Sequence, residues 1–350
     1  MRVAAGFAGL LAGALTITAA STSAFQTSSV AEPLAVARIL AARYPAQPIM
    51  SYIPALSWSN SMSLSAISGE TRWAEKAAKD LEALTSGKTA AIAEPYRLTS
   101  LAGALALADA ERFVGDQAAG ALAQKVAAFM LPQKPDEVVR FATGWTDDMF
   151  MAASVWSRVD NGRHAAAVGT LLTTYAAKLQ RDDGIYIHAT DGPHAWGRGN
   201  GFALLGVTEA LTHLPVSWNE RTTVLETYRK HVRALAQLQA DDGSWRQVLD
   251  EPASYRELTE TAMTTAAIAR GVRLGWIDRA TYQPTVTRGW NAVAARVNAD
   301  GTVRDVCSGT GAGPTKEYYL NRPVVNGADD RGGAMALLAA IEVELMRRAG

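Results

Sequence analysis

The chain has one cysteine, Cys307, among 350 residues. A single thiol cannot form an internal disulfide, and it excludes a zinc site built from several cysteine ligands. The 34 basic and 34 acidic side chains cancel to a formal net charge of zero. A neutral chain gives no electrostatic reason to expect a nucleic acid or an anionic membrane as partner. The 48% of hydrophobic residues are ample for a core.

Several catalytic motifs are also missing. There is no Gly-x-Ser-x-Gly elbow, and Cys307 has no obvious histidine partner, which weakens acyl chemistry by serine or cysteine. The glycine-rich run 197–201 lacks the strand and acidic partner of a dinucleotide site, and the run 309–314 lacks the ending of a phosphate loop. His188 and His194 are six residues apart with no Glu between them, which is not a zinc motif. We therefore expect no metal ion and no cofactor.

Long apolar runs are confined to the N-terminus. Arg2 precedes an apolar stretch rich in Ala, Gly and Leu, and residues 22–24 (Thr-Ser-Ala) offer a small-residue cleavage site. This pattern predicts a signal peptide over residues 1–24 and a single domain over residues 25–350. The alternative is an uncleaved anchor, because the run approaches spanning length. We expect a periplasmic or secreted protein with no membrane partner after cleavage, and the sequence does not indicate its oligomeric state.

Asp-Gly turns recur in the second half of the chain. Segment 179–186 resembles segment 238–245, and segment 297–303 is a third, weaker copy. The aspartates before the turn glycines are 59 and 58 residues apart. Each copy ends a helical stretch and begins a short extended segment. A period of this length indicates a repeat architecture.

Two kinds of helix alternate between these turns. Residues 201–213 are rich in Ala and Gly, whereas the pattern after the capping box at 217–220 is amphipathic. Small-residue helices suit an inner ring, where neighbours approach closely, and amphipathic ones suit an outer ring. We therefore predict an all-α fold, an (α/α)6 barrel whose chain ends pair to close the ring. The predicted helices are 31–44, 50–66, 70–86, 98–113, 116–131, 144–158, 161–180, 201–213, 217–238, 261–274, 281–297 and 331–349.

The segment 144–151 places Asp147 and Asp148 at the start of an apolar helix. A carboxylate in apolar surroundings holds its proton to higher pH, as a general acid near neutral pH requires. Adjacent helical residues point about 100° apart, so we expect one carboxylate to face a cavity and the other to cap or pair nearby. The alternative is that both only cap the helix.

A second polar cluster precedes the apolar helix at 201–213. It contains His188, His194, Trp196, Arg198 and Asn200. The arginine fork suits a carboxylate, and tryptophan offers a stacking face for a sugar ring. A lone histidine is more often a structural hydrogen-bonding group, but the cluster together with the acidic segment predicts a carbohydrate-active site built from helix starts.

Glu257 and Glu260 begin the next small-residue helix. They could simply complement the helix dipole in its first turn. Alternatively, Glu257 contacts a substrate hydroxyl or orients a group in the cavity wall. Position alone does not decide between these interpretations.

These motifs, in this order, resemble glycoside hydrolase family 105, with family 88 as a more distant relative. The resemblance extends from about residue 50 to the end. It is carried by segments 145–151, 196–202, 242–247, 257–263 and 307–323. It implies an (α/α)6 barrel and an unsaturated glycuronyl hydrolase. The substrate would be a lyase-generated oligosaccharide ending in a 4,5-unsaturated uronic acid. Unsaturated galacturonyl from rhamnogalacturonan, a pectin component, is the default, and unsaturated glucuronyl products remain open.

The resemblance also implies a mechanism and residue roles. Asp147, which matches the family's catalytic aspartate, would protonate C4 of the vinyl ether while water adds at C5, and the hemiketal would open to release a keto acid. This chemistry does not need the two carboxylates of ordinary glycosidases. The resemblance matches His188 to a substrate-binding histidine and places Arg198 and Asn200 at the uronate. Trp145 and Trp196 would be stacking walls for the sugar ring. The full set of candidate substrate-binding residues is Trp145, Asp148, His188, His194, Trp196, Arg198, Asn200 and Glu257.

Two positions depart from the family pattern. Segment 95–101 has no aspartate where a second one is usual, and Arg331 stands where a histidine is usual. Three alternatives therefore accompany the hydrolase. They are an inverting glycosidase with Glu257 as second carboxylate, a polysaccharide lyase acting on intact polyuronate, and a non-catalytic glycan-binding protein.

Overall fold

Helices make up most of the computed structural model, which describes Met1 and residues 31–350. The signal segment predicted at residues 1–24 falls, apart from Met1, outside these residues. In chain order the helices are α1 (Pro33–Arg43), α2 (Tyr52–Ser68), α3 (Arg72–Thr85), α4 (Leu98–Leu101), α5 (Ala104–Val114), α6 (Gln117–Phe129), α7 (Asp147–Trp156), α8 (Ala165–Leu179), α9 (Gly197–His213), α10 (Arg221–Leu238), α11 (Leu258–Arg273), α12 (Arg279–Ala294), α13 (Lys316–Leu320) and α14 (Asp330–Arg348). None of the helices in residues 31–350 has the length and hydropathy needed to cross a bilayer.

Two short antiparallel pairs of strands complete residues 31–350. Strand β1 (Trp245–Arg246) pairs with β2 (Arg256–Glu257), and β3 (Val303–Cys307) pairs with β4 (Val324–Gly327). The first pair leads directly into α11, and the second leads into α14. Both hairpins therefore lie beside the starts of long helices.

The long helices form two concentric rings. Helices α2, α5, α7, α9, α11 and α14 pack on one another in that order, and α14 returns to pack against α2. Helices α3, α6, α8, α10 and α12 each pack outside the inner helix that precedes them, and α1 lies against α14 and α2. The chain ends thus close the ring, which confirms the predicted (α/α)6 barrel.

Burial separates the inner helices from the outer ones. All residues of α11 from Leu258 to Val272 are buried, whereas α10 buries only one face. Small residues let the inner helices approach closely. A Cβ on Gly206 of α9 would lie only 2.5 Å from the carbonyl oxygen of Met149 in α7. Glycine is therefore required where these helices touch.

The three repeated turns have the same backbone structure. The turn glycines Gly184, Gly243 and Gly301 have φ values of 99°, 85° and 80°, a region that favours glycine. In each turn the preceding aspartate accepts a hydrogen bond from the backbone N–H two residues later, at 3.0, 3.1 and 3.0 Å. The sequence repeat is therefore a structural repeat of outer helix, Asx turn and inner helix.

The main differences from the predicted helices are at their starts. Helix α7 begins at Asp147, three residues later than predicted, and α9 begins at Gly197, four residues earlier. The predicted helix 98–113 is divided into α4 and α5. In α9 the glycines at 197–201 continue the helix because the neighbouring strand and helix lie against them, which composition does not show.

The six inner helices point the same way. Tyr52 of α2 lies near Asp147 of α7 and near Arg198 of α9. Arg198 in turn donates a hydrogen bond to Thr259 of α11 at 2.7 Å. All of these residues belong to the first turns of their helices. Because helix N-termini carry partial positive charge, this end of the barrel favours an anionic ligand.

Ion pairs fill the opposite end of the barrel. Arg158 pairs with Asp109 and Glu209, and Arg270 joins Glu209 to Glu342, at N–O distances of 3.2 Å or less. These side chains line a cavity of about 420 Å³. The network links four inner helices, α5, α9, α11 and α14, with Arg158, the second residue after α7.

Candidate active site

Asp147 and His188 form the centre of the candidate site. Asp147 is the first residue of α7, and its side chain is 17% exposed, whereas His188 is fully buried. The His188 Nε2 atom lies 3.3 Å from Asp147 Oδ2. In the described part of the chain, both atoms are buried and neither has a hydrogen-bond partner. The two atoms therefore face each other out of contact with solvent, and the exposed 17% of Asp147 lies elsewhere on its side chain.

Aromatic rings and backbone hydrogen bonds hold His188 in place. Its ring centroid lies 5.1 Å from that of Trp145 and 4.6 Å from that of Trp196. Its carbonyl accepts a hydrogen bond from the Thr146 N–H at 3.0 Å, and its own N–H donates to the His194 carbonyl. The loop is thereby fastened to the start of α7, directly beside the catalytic candidate.

The two tryptophans differ in what they offer a ligand. Trp145 is half-buried and borders the glycine-rich loop at Gly311. Trp196 is only 2% exposed, and its indole N–H donates to Gln247 Oε1. Trp145 is therefore partly accessible to a ligand, whereas Trp196 is buried and packs against the His188 ring.

Asp148 faces away from this centre. It is 1% exposed, and its carboxylate accepts hydrogen bonds from the Thr143 N–H, the Gly144 N–H and the Tyr175 hydroxyl at 2.8, 2.8 and 2.6 Å. Burial raises its pKa to about 6. The raised pKa expected of this segment is thus that of Asp148, which fastens the loop before α7. Its carboxylate is engaged with protein groups, so the structure supports a role in the fold rather than the predicted contact with substrate.

Arg198 has the geometry expected of an anion-binding group. It is 2% exposed, its Nε donates to Thr259 Oγ1, and its Nη2 donates to the Cys307 carbonyl. Nη1 makes no hydrogen bond with residues 31–350, and it lies 4.0 Å from the position that a Cβ on Gly309 would take. Gly309 therefore leaves space beside an unused N–H donor.

Glu257 is a helix cap. It is fully buried, and its carboxylate accepts hydrogen bonds from the Glu260 N–H at 2.7 Å, the Thr259 hydroxyl at 2.7 Å and the Cys307 N–H at 2.9 Å. Arg198 Nη2 lies 3.5 Å from the same carboxylate. Glu257 is thus the N-cap of α11 rather than a first-turn acid, and the fold engages both of its oxygens, so the structure gives no support for a direct contact with substrate.

Asn200 also serves the fold. Its side chain bonds to the N–H and the carbonyl of Tyr186, to the Trp196 carbonyl and to His231 Nε2, at 2.8 to 3.0 Å. Its amide is fully buried. These bonds give its amide a role in the fold, and its placement at the uronate stays a prediction. His194 lies further out, half-buried, with Nε2 3.1 Å from the Pro314 carbonyl.

Three residues near the centre were not among the candidate site residues. The Tyr319 hydroxyl lies 2.9 Å from His188 Nδ1. Tyr52 lies near Asp147 and Arg198, and burial raises its pKa to about 12. Arg331 donates hydrogen bonds to the Ser308 carbonyl and to the Asp329 carboxylate, and its Nη1 atom lies beside Gly309. Tyr52 and Arg331 both belong to first turns of inner helices, which is the signal that could have found them.

The described residues also form another cavity. It has a volume of about 650 Å³ and is lined by residues 136–144 and the end of α8, including Phe141, Tyr175 and Lys178. Neither Asp147 nor His188 lines it. The chemistry-bearing side chains are instead gathered at the N-terminal ends of the inner helices.

Comparison with known proteins decides the family. Residues 49–347 match the family model of Glycosyl Hydrolase Family 88. The chain belongs to this family. A glycoside hydrolase of family 105 from C. acetobutylicum has a similar structure, with a TM-score of 0.78 and 19% identity, over 90% of this chain and 99% of that one. This likeness supports the fold.

Two curated relatives also match. An unsaturated 3S-rhamnoglycuronyl hydrolase from Alteromonas sp. is 29% identical over 190 residues, or 49% of this chain and 46% of that protein. An unsaturated rhamnogalacturonyl hydrolase from Bacillus subtilis is 30% identical over 146 residues, or 40% of each chain. The matched regions span less than half the length of these curated relatives.

Proposed function

We propose that this family 88 protein is an unsaturated glycuronyl hydrolase that removes a 4,5-unsaturated uronic acid from the non-reducing end of an oligosaccharide. The observation that carries the proposal is the pairing of the partly exposed Asp147 with the buried His188, at the end of the barrel where Arg198 offers a free N–H donor. Asp147 supplies a proton, and Arg198 supplies a binding site for an anion.

The uronate carboxylate docks at Arg198 Nη1 in this proposal. The other guanidinium nitrogens are held by Thr259 and Cys307, so the free N–H has a fixed direction. A buried guanidinium binds a carboxylate through charge-assisted hydrogen bonds. The N-termini of the inner helices add positive potential at the same end. An anionic sugar is therefore preferred over a neutral one.

The proposed reaction is hydration of the vinyl ether. Asp147 gives its proton to C4, positive charge develops at C5, and a water oxygen bonds to C5. The Asp147 carboxylate takes the proton that this water releases, so the acid is restored. The C5 hemiketal then opens: the bond between C5 and the ring oxygen breaks, C5 becomes a ketone, and the former ring oxygen keeps a proton as a hydroxyl on C1. C1 is now a hemiacetal, and its collapse breaks the bond to the glycosidic oxygen. The proton of the C1 hydroxyl passes to the leaving alcohol, and the uronic acid leaves as an open-chain keto acid with an aldehyde at C1. The His188 ring stabilises the carboxylate between the two proton transfers.

A second carboxylate is not needed for this reaction. An inverting glycosidase requires an acid and a base roughly 6.5–9.5 Å apart on opposite sides of the sugar. The candidate for the second group, Glu257, is fully buried and capped into α11. This arrangement favours hydration over ordinary inverting hydrolysis.

We propose lyase-generated rhamnogalacturonan oligosaccharides with a terminal unsaturated galacturonyl residue as the substrate. The name of the Bacillus subtilis relative supports this choice. The name of the Alteromonas relative points to unsaturated uronyl groups linked to sulfated rhamnose as the competing substrate. We further propose that residues 1–24 direct the protein to the periplasm or the medium. N-terminal sequencing of the protein recovered from each cell fraction tests that step.

The experiment is a panel of lyase digests monitored by ultraviolet absorbance of the conjugated double bond. Wild type should remove the absorbance from rhamnogalacturonan products, and Asp147→Asn should not. No loss with any unsaturated uronic glycan would overturn the proposal and favour a glycan-binding protein. A rise in absorbance on intact polymer would instead indicate a lyase.

A further inference from the structure

Tyr319 connects the candidate catalytic pair to the C-terminal part of the chain. It lies on the short helix α13 and is fully buried, packed with Trp196, Val248 and Cys307. Its hydroxyl is 2.9 Å from His188 Nδ1, on the side of the ring opposite Asp147. A continuous line of polar atoms therefore runs from Tyr319 through His188 to Asp147, whose side chain is partly exposed.

The Tyr319 hydroxyl has one proton and three neighbours. The Gly313 N–H, at 3.3 Å, can only donate to the oxygen. The proton can then go to His188 Nδ1 at 2.9 Å or to the Gly192 carbonyl at 3.5 Å. The shorter distance favours His188. Burial raises the pKa of Tyr319 to about 12, so the proton remains on the hydroxyl through the neutral range.

The direction of this hydrogen bond determines which ring nitrogen carries the proton. If Nδ1 accepts from Tyr319, a neutral imidazole carries its hydrogen on Nε2. Nε2 is the atom that lies 3.3 Å from Asp147 Oδ2. In the opposite tautomer, a ring lone pair would face a carboxylate lone pair, which is repulsive. The Nε2–H tautomer is thus the one that satisfies both ends of the line.

We propose that Tyr319 is a positioning residue that holds His188 in the Nε2–H tautomer, so that the ring donates a hydrogen bond to the Asp147 carboxylate. Its kinetic consequence rests on the proposed function. After Asp147 has protonated C4, its carboxylate is stabilised by the Nε2–H until it takes a proton from water. Without Tyr319 the ring is less firmly oriented, and the carboxylate is stabilised less.

The test combines ring-nitrogen NMR with kinetics on Tyr319→Phe. Tyr228→Phe is the matched control. Tyr228 lies on the outer helix α10 and is also fully buried, and its hydroxyl donates a hydrogen bond to the Ala267 carbonyl at 2.9 Å. The chain has five histidines, and His188→Gln assigns the signals of His188. In wild type we expect a protonated Nε2 and a hydrogen-bonded, unprotonated Nδ1. In Tyr319→Phe the Nδ1 signal should move to that of a free acceptor, and in Tyr228→Phe it should not move.

The kinetic readout separates positioning from loss of folding. Tyr319→Phe should lower kcat more than it raises KM, because the ring that stabilises the Asp147 carboxylate after proton transfer is less firmly oriented. Tyr228→Phe should leave both constants unchanged. A wild-type His188 protonated on Nδ1, or His188 signals unchanged in Tyr319→Phe, would overturn the proposal. The NMR result does not require turnover, so it stands apart from the fate of the proposed function.

Discussion

Asp147 and Asp148 are adjacent in sequence, but their carboxylates have different surroundings: Asp147 is partly exposed beside His188, and Asp148 is buried under Tyr175. Asp147→Asn should lower kcat by about 10²–10⁴-fold, the usual contribution of a general acid, with little loss of stability. Asp148→Asn places an amide N–H beside buried donors, so it should cost about 1–3 kcal/mol of unfolding free energy. Kinetics and urea unfolding of the two variants provide this comparison. Equal stability losses in both would contradict it.

The raised pKa of Asp148 also predicts a pH dependence of stability. Burial raises this pKa from 3.8 to about 6. Between these values the folded protein keeps a proton that the unfolded chain releases, so this group's contribution to stability is present below the unfolded pKa and is lost as pH rises through the folded pKa. Asp148→Asn should remove this decrease, whereas Asp147→Asn should retain it. Urea unfolding at several pH values between about 3 and 7 measures it, a range that extends about one unit beyond each of the two pKa values.

Arg198 should distinguish charged substrates from neutral ones. Arg198→Lys keeps a positive charge but loses the planar fork that Thr259 and Cys307 hold. We expect KM for an unsaturated uronide to rise by about 10- to 100-fold, the worth of a charged hydrogen bond. The methyl ester of the same substrate, which has no charge, serves as control and should be affected much less. An equal effect on the acid and the ester would show that the substrate carboxylate does not bind at Arg198.

The ion network at the far end of the barrel should govern acid stability. Burial alone would raise the pKa of Glu209, but Arg158 and Arg270 hold it well below its usual value. Its contribution to stability is therefore present above the unfolded pKa and is lost as pH falls below it. Glu209→Gln should cost about 3–5 kcal/mol at neutral pH and less in acid.

The matched control for this network is Glu32→Gln, which removes an exposed partner of Arg347. It should cost less than about 1 kcal/mol. The activity of the folded Glu209→Gln protein should be retained, because Arg158 and Arg270 lie at the end of the barrel opposite Asp147. A stability loss as small as that of the control would show that the buried pairs contribute little.

Gly206 tests why the inner helices are rich in small residues. Gly206→Ala would push a methyl group against the Met149 carbonyl and should destabilise the protein by about 1–3 kcal/mol. Gly120→Ala on outer helix α6 is the control, since the atoms nearest to its new methyl group belong to the end of the flexible Glu111 side chain. That variant should be neutral or slightly stabilised by helix propensity. Similar thermal unfolding of the two variants would contradict the packing account.

The fold was largely predictable because its pattern is local and repeated. The Asp-Gly turns and alternating helix classes are visible in short windows, and they fix the number and order of the helices. The division of α4 from α5 was not predicted. Helix α9 started earlier than predicted because its glycines are packed against residues distant in sequence, such as Arg246 and Glu260. Such contacts cannot be seen in composition.

The candidate site was predictable in its position but not in the role of each residue. The sequence indicated helix starts, which is where Asp147 and Arg198 lie. It could not separate residues that face the site from those that support it. Asn200 and Glu257 were assigned to the substrate, but buried hydrogen bonds fix them within the protein. The contact of Tyr319 with His188 cannot be predicted from the sequence, because the two residues are 131 positions apart.

The most direct test of the central claim compares an O-linked with an S-linked 4,5-unsaturated uronide. If Asp147 protonates C4 first, the glycosidic atom is not the site of proton transfer, so wild type should remove the double-bond absorbance of both compounds at comparable rates. Asp147→Asn should remove neither. Cleavage of the O-linked compound alone would contradict the hydration mechanism, and full activity of Asp147→Asn would contradict the assignment of the acid.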